Sequence, residues 1–122
     1  MKCVLLDTNF LMIPGKFRVD IFTELERLGY KPIVLSCVMS ELNKIASGKG
    51  LAGGQAKVAM AIIDIRKPEA IEARGPVDSA LLRHAVHSGC AIATNDAALI
   101  SKARKDKIAV LRLRQKKYVV EE

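Results

Sequence analysis

Two polar triplets stand at the ends of apolar runs: Asp7-Thr8-Asn9 after Cys3-Val4-Leu5-Leu6, and Thr94-Asn95-Asp96 after Cys90-Ala91-Ile92-Ala93. Runs of this kind read as buried strands that deliver a carboxylate, a hydroxyl and an amide to their C-terminal edge. That edge is where open α/β sheets take their ligands. Two helical patterns add acids. Asp78 falls at i with Leu81, Leu82, Ala85 and Val86 at i+3, i+4, i+7 and i+8, and Asp96 leads Leu99, Ile100 and Ala103 in the same way. Both carboxylates are therefore expected to head a buried stripe. Glu41 lies one turn into a helix whose stripe is Val38, Leu42, Ile45 and Ala46, roughly 60° from the edge of that stripe. Taken singly, each acid reads as a helix cap or a surface charge. Taken together, Asp7, Glu41, Asp78 and Asp96 would repel, and a helix dipole offsets at most about 2 kcal/mol for each. A hard divalent cation, Mg²⁺ or Mn²⁺, is the natural remedy. It takes oxygen ligands, keeps several waters and leaves positions for phosphate oxygens. Such an ion can acidify a water and neutralise charge on a phosphoryl group, while a carboxylate outside its shell serves as general base.

The elements that must hold these groups follow in a regular order. After Asn9 a connection runs to Arg18, punctuated by Pro14-Gly15. A helical pattern from Val19 carries Ile21, Leu25 and Leu28, and Gly29 is placed to cap it. Pro32 to Leu35 reads as a second strand, followed by the Glu41 helix. Ser47 to Gly54 holds four glycines and reads as a mobile connection, since it matches no phosphate-loop pattern. Gln55 to Ile65 is a helix burying Ala56, Ala59, Met60 and Ile63, and Ala70 to Ala73 is a short edge strand. The Asp78 helix, the strand ending at Ala93, the Asp96 helix and a strand over Ala109 to Leu111 with Leu113 complete the chain. The expected architecture is a three-layer α/β sandwich with a five-stranded parallel sheet, in a single domain over 1–122. Residues 113–122 read as a basic strand end and tail.

The chain has 122 residues, enough for one core without metal or disulfide staples. Its three cysteines, Cys3, Cys37 and Cys90, are odd in number and lie in or beside apolar runs. They read as reduced core residues of a cytoplasmic protein. The N-terminus lacks a charged region followed by a long apolar region and a small-residue cleavage site, so no signal peptide is expected, and no apolar run is long enough for a membrane span. The net charge is +7, and from Lys102 to Lys117 eight basic residues face the single acid Asp106. That segregation favours a polyanionic partner, nucleic acid in particular. His84 and His87 lie on a polar helix face with no acid opposite, which argues against a metal there. A haloacid-dehalogenase-type site wants an Asp where Asn9 stands, a receiver domain wants an acidic pair after its first strand, and a dinucleotide site wants GxGxxG over Asp7 to Met12. None of the three fits.

The motifs Leu-Leu-Asp7-Thr8-Asn9-Phe-Leu, Val38-Met-Ser-Glu41-Leu, Asp78 with its Leu81-Leu82-His84-Ala85 helix, and Ala-Thr94-Asn95-Asp96-Ala-Ala-Leu99 resemble, in that order, those of PIN-domain endoribonucleases. The resemblance implies that Asp7, Glu41, Asp78 and Asp96 hold Mg²⁺ or Mn²⁺ and carry the catalysis, with Thr8, Asn9, Thr94 and Asn95 as polar support. It implies hydrolysis of RNA to a 5′-phosphate and a 3′-hydroxyl. Lys102, Arg104, Lys105, Arg112, Arg114, Lys116 and Lys117 would then grip backbone phosphate, and Tyr118 would either stack on a base or pack its ring. The opening motif and the ending Leu-Arg-x-Arg114-Gln-Lys-Lys-Tyr118 resemble the archaeal and eukaryotic branch that processes ribosomal RNA more than VapC-type toxins. The competing expectations are a toxin ribonuclease held by an antitoxin, and a non-catalytic RNA-binding assembly factor. Self-association is compatible with the family, although no sequence patch specifies it.

Overall fold

The computed structural model describes residues 1–122, all of the chain. Thirteen elements follow one another: β1 (Lys2–Leu6), α1 (Thr8–Leu11), α2 (Ile13–Phe17), α3 (Ile21–Arg27), β2 (Tyr30–Leu35), α4 (Ser36–Ala46), α5 (Leu51–Arg66), β3 (Glu69–Ile71), α6 (Val77–Ser88), β4 (Ala91–Ala93), α7 (Ala97–Lys105), β5 (Val110–Arg114) and β6 (Tyr118–Glu121). The strands form one sheet in the order β3-β2-β1-β4-β5-β6. All neighbours are parallel except β5 and β6.

This order makes the site. From β1 the chain winds outward through β2 to β3, then returns past β1 to lay down β4 and β5 on its other side. Right-handed crossovers then place the helices of the two windings on opposite faces of the sheet. Between β1 and β4 the direction of winding reverses, and a crevice opens there beyond the strand C-termini. The register sets Leu5 beside Ile92 and Leu6 beside Ala93, so Asp7 and Thr94 leave the sheet side by side. The central strands are held by burial: Val4, Leu5, Leu6, Ile92 and Ala93 are all at most 1% exposed. These near-continuous apolar runs are what a parallel sheet covered on both faces requires.

The α/β sandwich agrees with the sequence reading, and the details depart from it in five places. A sixth strand, antiparallel to β5, replaces the expected basic tail: Arg114 pairs with Tyr118 and Leu113 with Val119, and Val119 is fully buried. Gly53 and Gly54 are not loop but the first turns of α5, so only Ser47 to Gly50 connect the two helices. Gly53 is needed there because a Cβ would stand 2.3 Å from the Gly48 carbonyl oxygen. The connection after Asn9 is largely helical, with Pro14 in the first turn of α2, where a missing N–H costs nothing. Of the Asp78 stripe, Leu81 and Ala85 are buried but Val86 is 59% exposed, Asp78 is half-buried and Asp96 is exposed, so the acids stand at the rim of the stripe. Finally, Cys3 and Cys90 form a disulfide, and Cys37 alone is free. The pairing Val4 with Ala91 sets the residues just before them next to one another across β1 and β4, which a separation of 87 residues conceals. No helix is long and apolar enough to cross a membrane.

Candidate active site at the strand switch point

Asp7 is 5% exposed and ends β1 as the cap of α1, accepting from the Thr8 backbone N–H at 2.8 Å. Its other oxygen accepts from the Thr94 hydroxyl at 2.8 Å. The same hydroxyl accepts the Asp96 backbone N–H at 3.0 Å, and the Asp96 carboxylate caps α7 through the Ala98 N–H at 2.9 Å. Thr94, fully buried, therefore ties the two polar triplets together. Asn95 is spent on scaffolding: its carboxamide donates to the Leu113 carbonyl at 3.2 Å and accepts the Leu113 N–H at 2.8 Å, fastening the end of β5 to the end of β4. The Thr8 hydroxyl is buried beside Asp7 and has no partner.

Burial pushes the Asp7 carboxyl above its ordinary value of 3.8; hydrogen bonds from Thr94 and Thr8 pull it back, and the charges of Asp78 and Asp96 push it up again. Those last two causes place Asp78, in the first turn of α6, and Asp96 within electrostatic reach of Asp7. Glu41 is exposed on α4 and lines a cleft of about 510 Å³ with Lys44, Arg74 and Val77, the residue before Asp78. No three His, Cys, Asp or Glu side chains close on a single point tightly enough to hold an ion by themselves.

The donors suit a hard divalent cation nonetheless. They are all oxygens, Asp78 and Asp96 repel Asp7, and the buried hydroxyl of Thr8, next in sequence to Asp7, has no partner. Mg²⁺ is commonly held by only one or two carboxylates, with water and substrate phosphate completing its octahedron.

The predicted phosphate-gripping residues are divided. Lys102, Lys105, Lys116, Lys117 and Tyr118 are exposed. Arg104 and Arg112 reach the Glu122 carboxylate at 3.2 and 3.3 Å, and Arg114 pairs with its other oxygen. Desolvation lifts the Glu122 carboxyl, but the hydrogen bonds from Arg114 and Arg112 hold it below its ordinary range. Sequence reasoning counted these arginines as free charge, because nothing in their spacing shows that β6 carries an acid back to them. It also passed over Phe17, which both Lys16 and Lys116 approach, at 5.3 and 5.5 Å from the ring centre.

Residues 4–116 match the family described as PIN like domain. Ribonuclease VapC4 of Methanocaldococcus jannaschii is 30% identical over 118 residues, covering 92% of this chain and 90% of that protein. Ribonuclease VapC9 of Archaeoglobus fulgidus is 29% identical over 121 residues, covering 98% and 88%. Among solved structures, that of the PIN domain endonuclease Utp24 superposes with a TM-score of 0.81 over 98% of this chain and 90% of its own, at 24% identity, a likeness of fold. A family match over nearly the whole length, with the acids at the β1/β4 switch point, leads to one conclusion: this chain belongs to the PIN-like domain family.

Proposed function

We propose that the chain is a divalent-metal-dependent endoribonuclease. The observation that carries this reading is the Thr94 bridge, which holds Asp7 and the backbone of Asp96 on one hydroxyl while Asp78 and Asp96 repel Asp7. Family membership and two relatives named as ribonucleases support it. Asp7, Asp78 and Asp96 are the residues that would hold Mg²⁺ or Mn²⁺, with the Thr8 hydroxyl and the exposed Asn9 carboxamide beside them. When bound, the cation supplies an acidified water and neutralises charge on the scissile phosphate.

The chain's own residues do the rest. Thr94 fixes the two aspartates relative to each other, and Asn95 locks β5 against β4 so that their positions persist. Glu41, exposed in the adjoining cleft, is the carboxylate free to take the proton of the attacking water. Attack at phosphorus with departure of the 3′ oxygen leaves a 5′-phosphate and a 3′-hydroxyl. The exposed lysines on α7 and on the β5–β6 turn supply backbone attraction.

The preferred substrate on this reading is precursor ribosomal RNA, supported by the opening and closing motifs. The two VapC-named relatives favour a second reading, a toxin ribonuclease partnered by an antitoxin. Expression in a host cell separates them: growth arrest relieved by a small neighbouring gene product supports the toxin, and crosslinks on ribosomal precursors without arrest support processing. Incubating the purified protein with single-stranded RNA and Mn²⁺ tests the shared chemistry. Absence of cleavage, together with absence of stoichiometric Mn²⁺ binding by calorimetry, would favour an RNA-binding assembly factor that does not cut.

A further inference from the structure

Beside the acidic rim, α2 and the turn between β5 and β6 enclose a pocket of about 440 Å³, within the ~300–1,000 Å³ usual for small-ligand sites. Its lining includes Asn9, Lys16, Phe17, Asn95, Gln115 and Lys116. Two of these place it at the proposed cleavage site: Asn9 lies two residues beyond Asp7, and Asn95 immediately precedes Asp96. Phe17 is half-buried, with Lys16 and Lys116 each within about 6 Å of its ring, the range of a cation–π contact. The Asn95 carboxamide is already engaged with Leu113, whereas those of Asn9 and Gln115 are exposed.

The turn that brings Lys116 over the ring is itself unusual. Gln115 and Lys116 have φ of 54° and 56°, the left-handed conformation normally left to Gly, Asn or Asp. Lys117 N–H closes the turn on the Arg114 carbonyl at 3.0 Å. Strain of this kind persists where surrounding structure over-determines it, and it collects at binding sites.

The geometry points to a nucleobase subsite, in which one base of a single-stranded RNA stacks on Phe17, the Asn9 and Gln115 carboxamides meet its edge, and Lys16 and Lys116 hold the flanking phosphates. This inference rests on RNA being the substrate. An aromatic face flanked by cations is how sequence-tolerant single-strand binding is built, and the two carboxamides would add a base preference.

Fluorescence anisotropy in EDTA tests it, using a labelled oligouridine and an abasic oligonucleotide of equal length and charge. Phe17→Leu is expected to weaken oligouridine binding by about 5-fold to 150-fold, the range for one base on an aromatic ring, and to leave abasic binding unchanged. Lys16→Ala with Lys116→Ala should weaken both probes. Phe17→Trp keeps a ring and is the arm that survives any packing defect in the Leu variant; it should bind oligouridine at least as tightly as wild type. Unaltered oligouridine affinity in Phe17→Leu, an equal loss on the abasic probe, or a loss in a folded Phe17→Trp would each overturn the subsite. A wild-type protein that binds neither probe would overturn the RNA reading itself, a distinguishable failure.

Discussion

Replacing Asp7 with Asn separates the two things this carboxylate does, because its effects on stability and on catalysis have opposite signs. The side chain accepts two hydrogen bonds of 2.8 Å, from Thr8 N–H and the Thr94 hydroxyl. With its Oδ1 kept on the Thr8 N–H and its Nδ2 donating to the Thr94 hydroxyl, the amide exchanges two bonds to a charged acceptor, ~1.5–3 kcal/mol each, for neutral ones of ~1 kcal/mol, and forfeits roughly 1–4 kcal/mol over the pair. Against this stands the removal of a buried charge. Burial first, then repulsion by Asp78 and Asp96, outweigh the hydrogen bonds, since together they hold the carboxyl above 3.8. Folding thus makes Asp7 bind its proton more tightly, and the stability this contributes is full below 3.8 and is lost as pH rises through the folded value. In EDTA at pH 7 the Asn variant should therefore melt no lower than wild type, and any gap should close on acidification as Asp7 in the wild type regains its proton. Mn²⁺ should invert the order: at a hundred times its Kd a bound ion adds about 2.7 kcal/mol, or roughly 10 °C in a chain of this size, to the wild type alone. Cleavage of single-stranded RNA should fall by about 10²- to 10³-fold in the variant, the loss for one group that supports charge stabilisation in the transition state. Wild-type cleavage by Asp7→Asn, or a melting temperature in EDTA well below wild type, would refute the reasoning.

Reduction of the Cys3–Cys90 disulfide frees a loop spanning 87 residues, worth about 4–5 kcal/mol by loop entropy. The melting temperature should drop by roughly 15–20 °C with reductant, Cys90→Ser should match the reduced wild type, and identical melting with and without reductant would exclude the bond. The arginines give a binding test in salt. Three free phosphate contacts would lower the slope of log affinity against log salt by about 2 for a single strand. Because Arg104, Arg112 and Arg114 share the Glu122 carboxylate, their joint replacement by Ala should lower it by clearly less, while Lys116→Ala and Lys117→Ala should each remove about 0.7. A full loss of 2 from the arginines would mean that Glu122 releases them to RNA.

What could be read from residues alone was whatever a single strand or helix determines. The apolar runs that stop abruptly at Asp7 and Thr94 announce buried parallel strands, and both triplets do lie at one sheet edge. The partners of those residues were not legible, because they depend on register. Nothing in the spacing sets Cys3 beside Cys90. The hairpin was hidden for a related reason: its turn, Gln115-Lys116, lacks the Gly or Asn that signals left-handed backbone, so Tyr118 to Glu121 read as tail although Val119 is fully buried. The Phe17 pocket was missed because Pro14-Gly15 read as a turn. In the fold Gly15 instead lets α2 lie against α5, where an added Cβ would meet the Gln55 Cα at 2.9 Å. Glu41 follows its pattern, since its helix phase off the buried stripe and its exposure both put it in the cleft that reaches Val77, beside Asp78.

The site also explains how a core of Leu, Ile, Val and Ala tolerates repelling charges at its rim. Repulsion at Asp7 is confined to one rim because the polar groups immediately beneath it satisfy each other: a single Thr94 hydroxyl gives its proton to Asp7 and takes the Asp96 N–H, and Asn95 uses both ends of its carboxamide on Leu113. Below that layer Leu5, Leu6, Ile92 and Ala93 are sealed from water and need no polar partner. Of the polar groups on this rim, the Asp7 charge and the buried Thr8 hydroxyl are left uncompensated. A fold selected only for stability would replace both with apolar groups of similar shape. Their presence at the switch point of the sheet, where a cation and a phosphate could complete their contacts, is the pattern expected where local stability is given up for function.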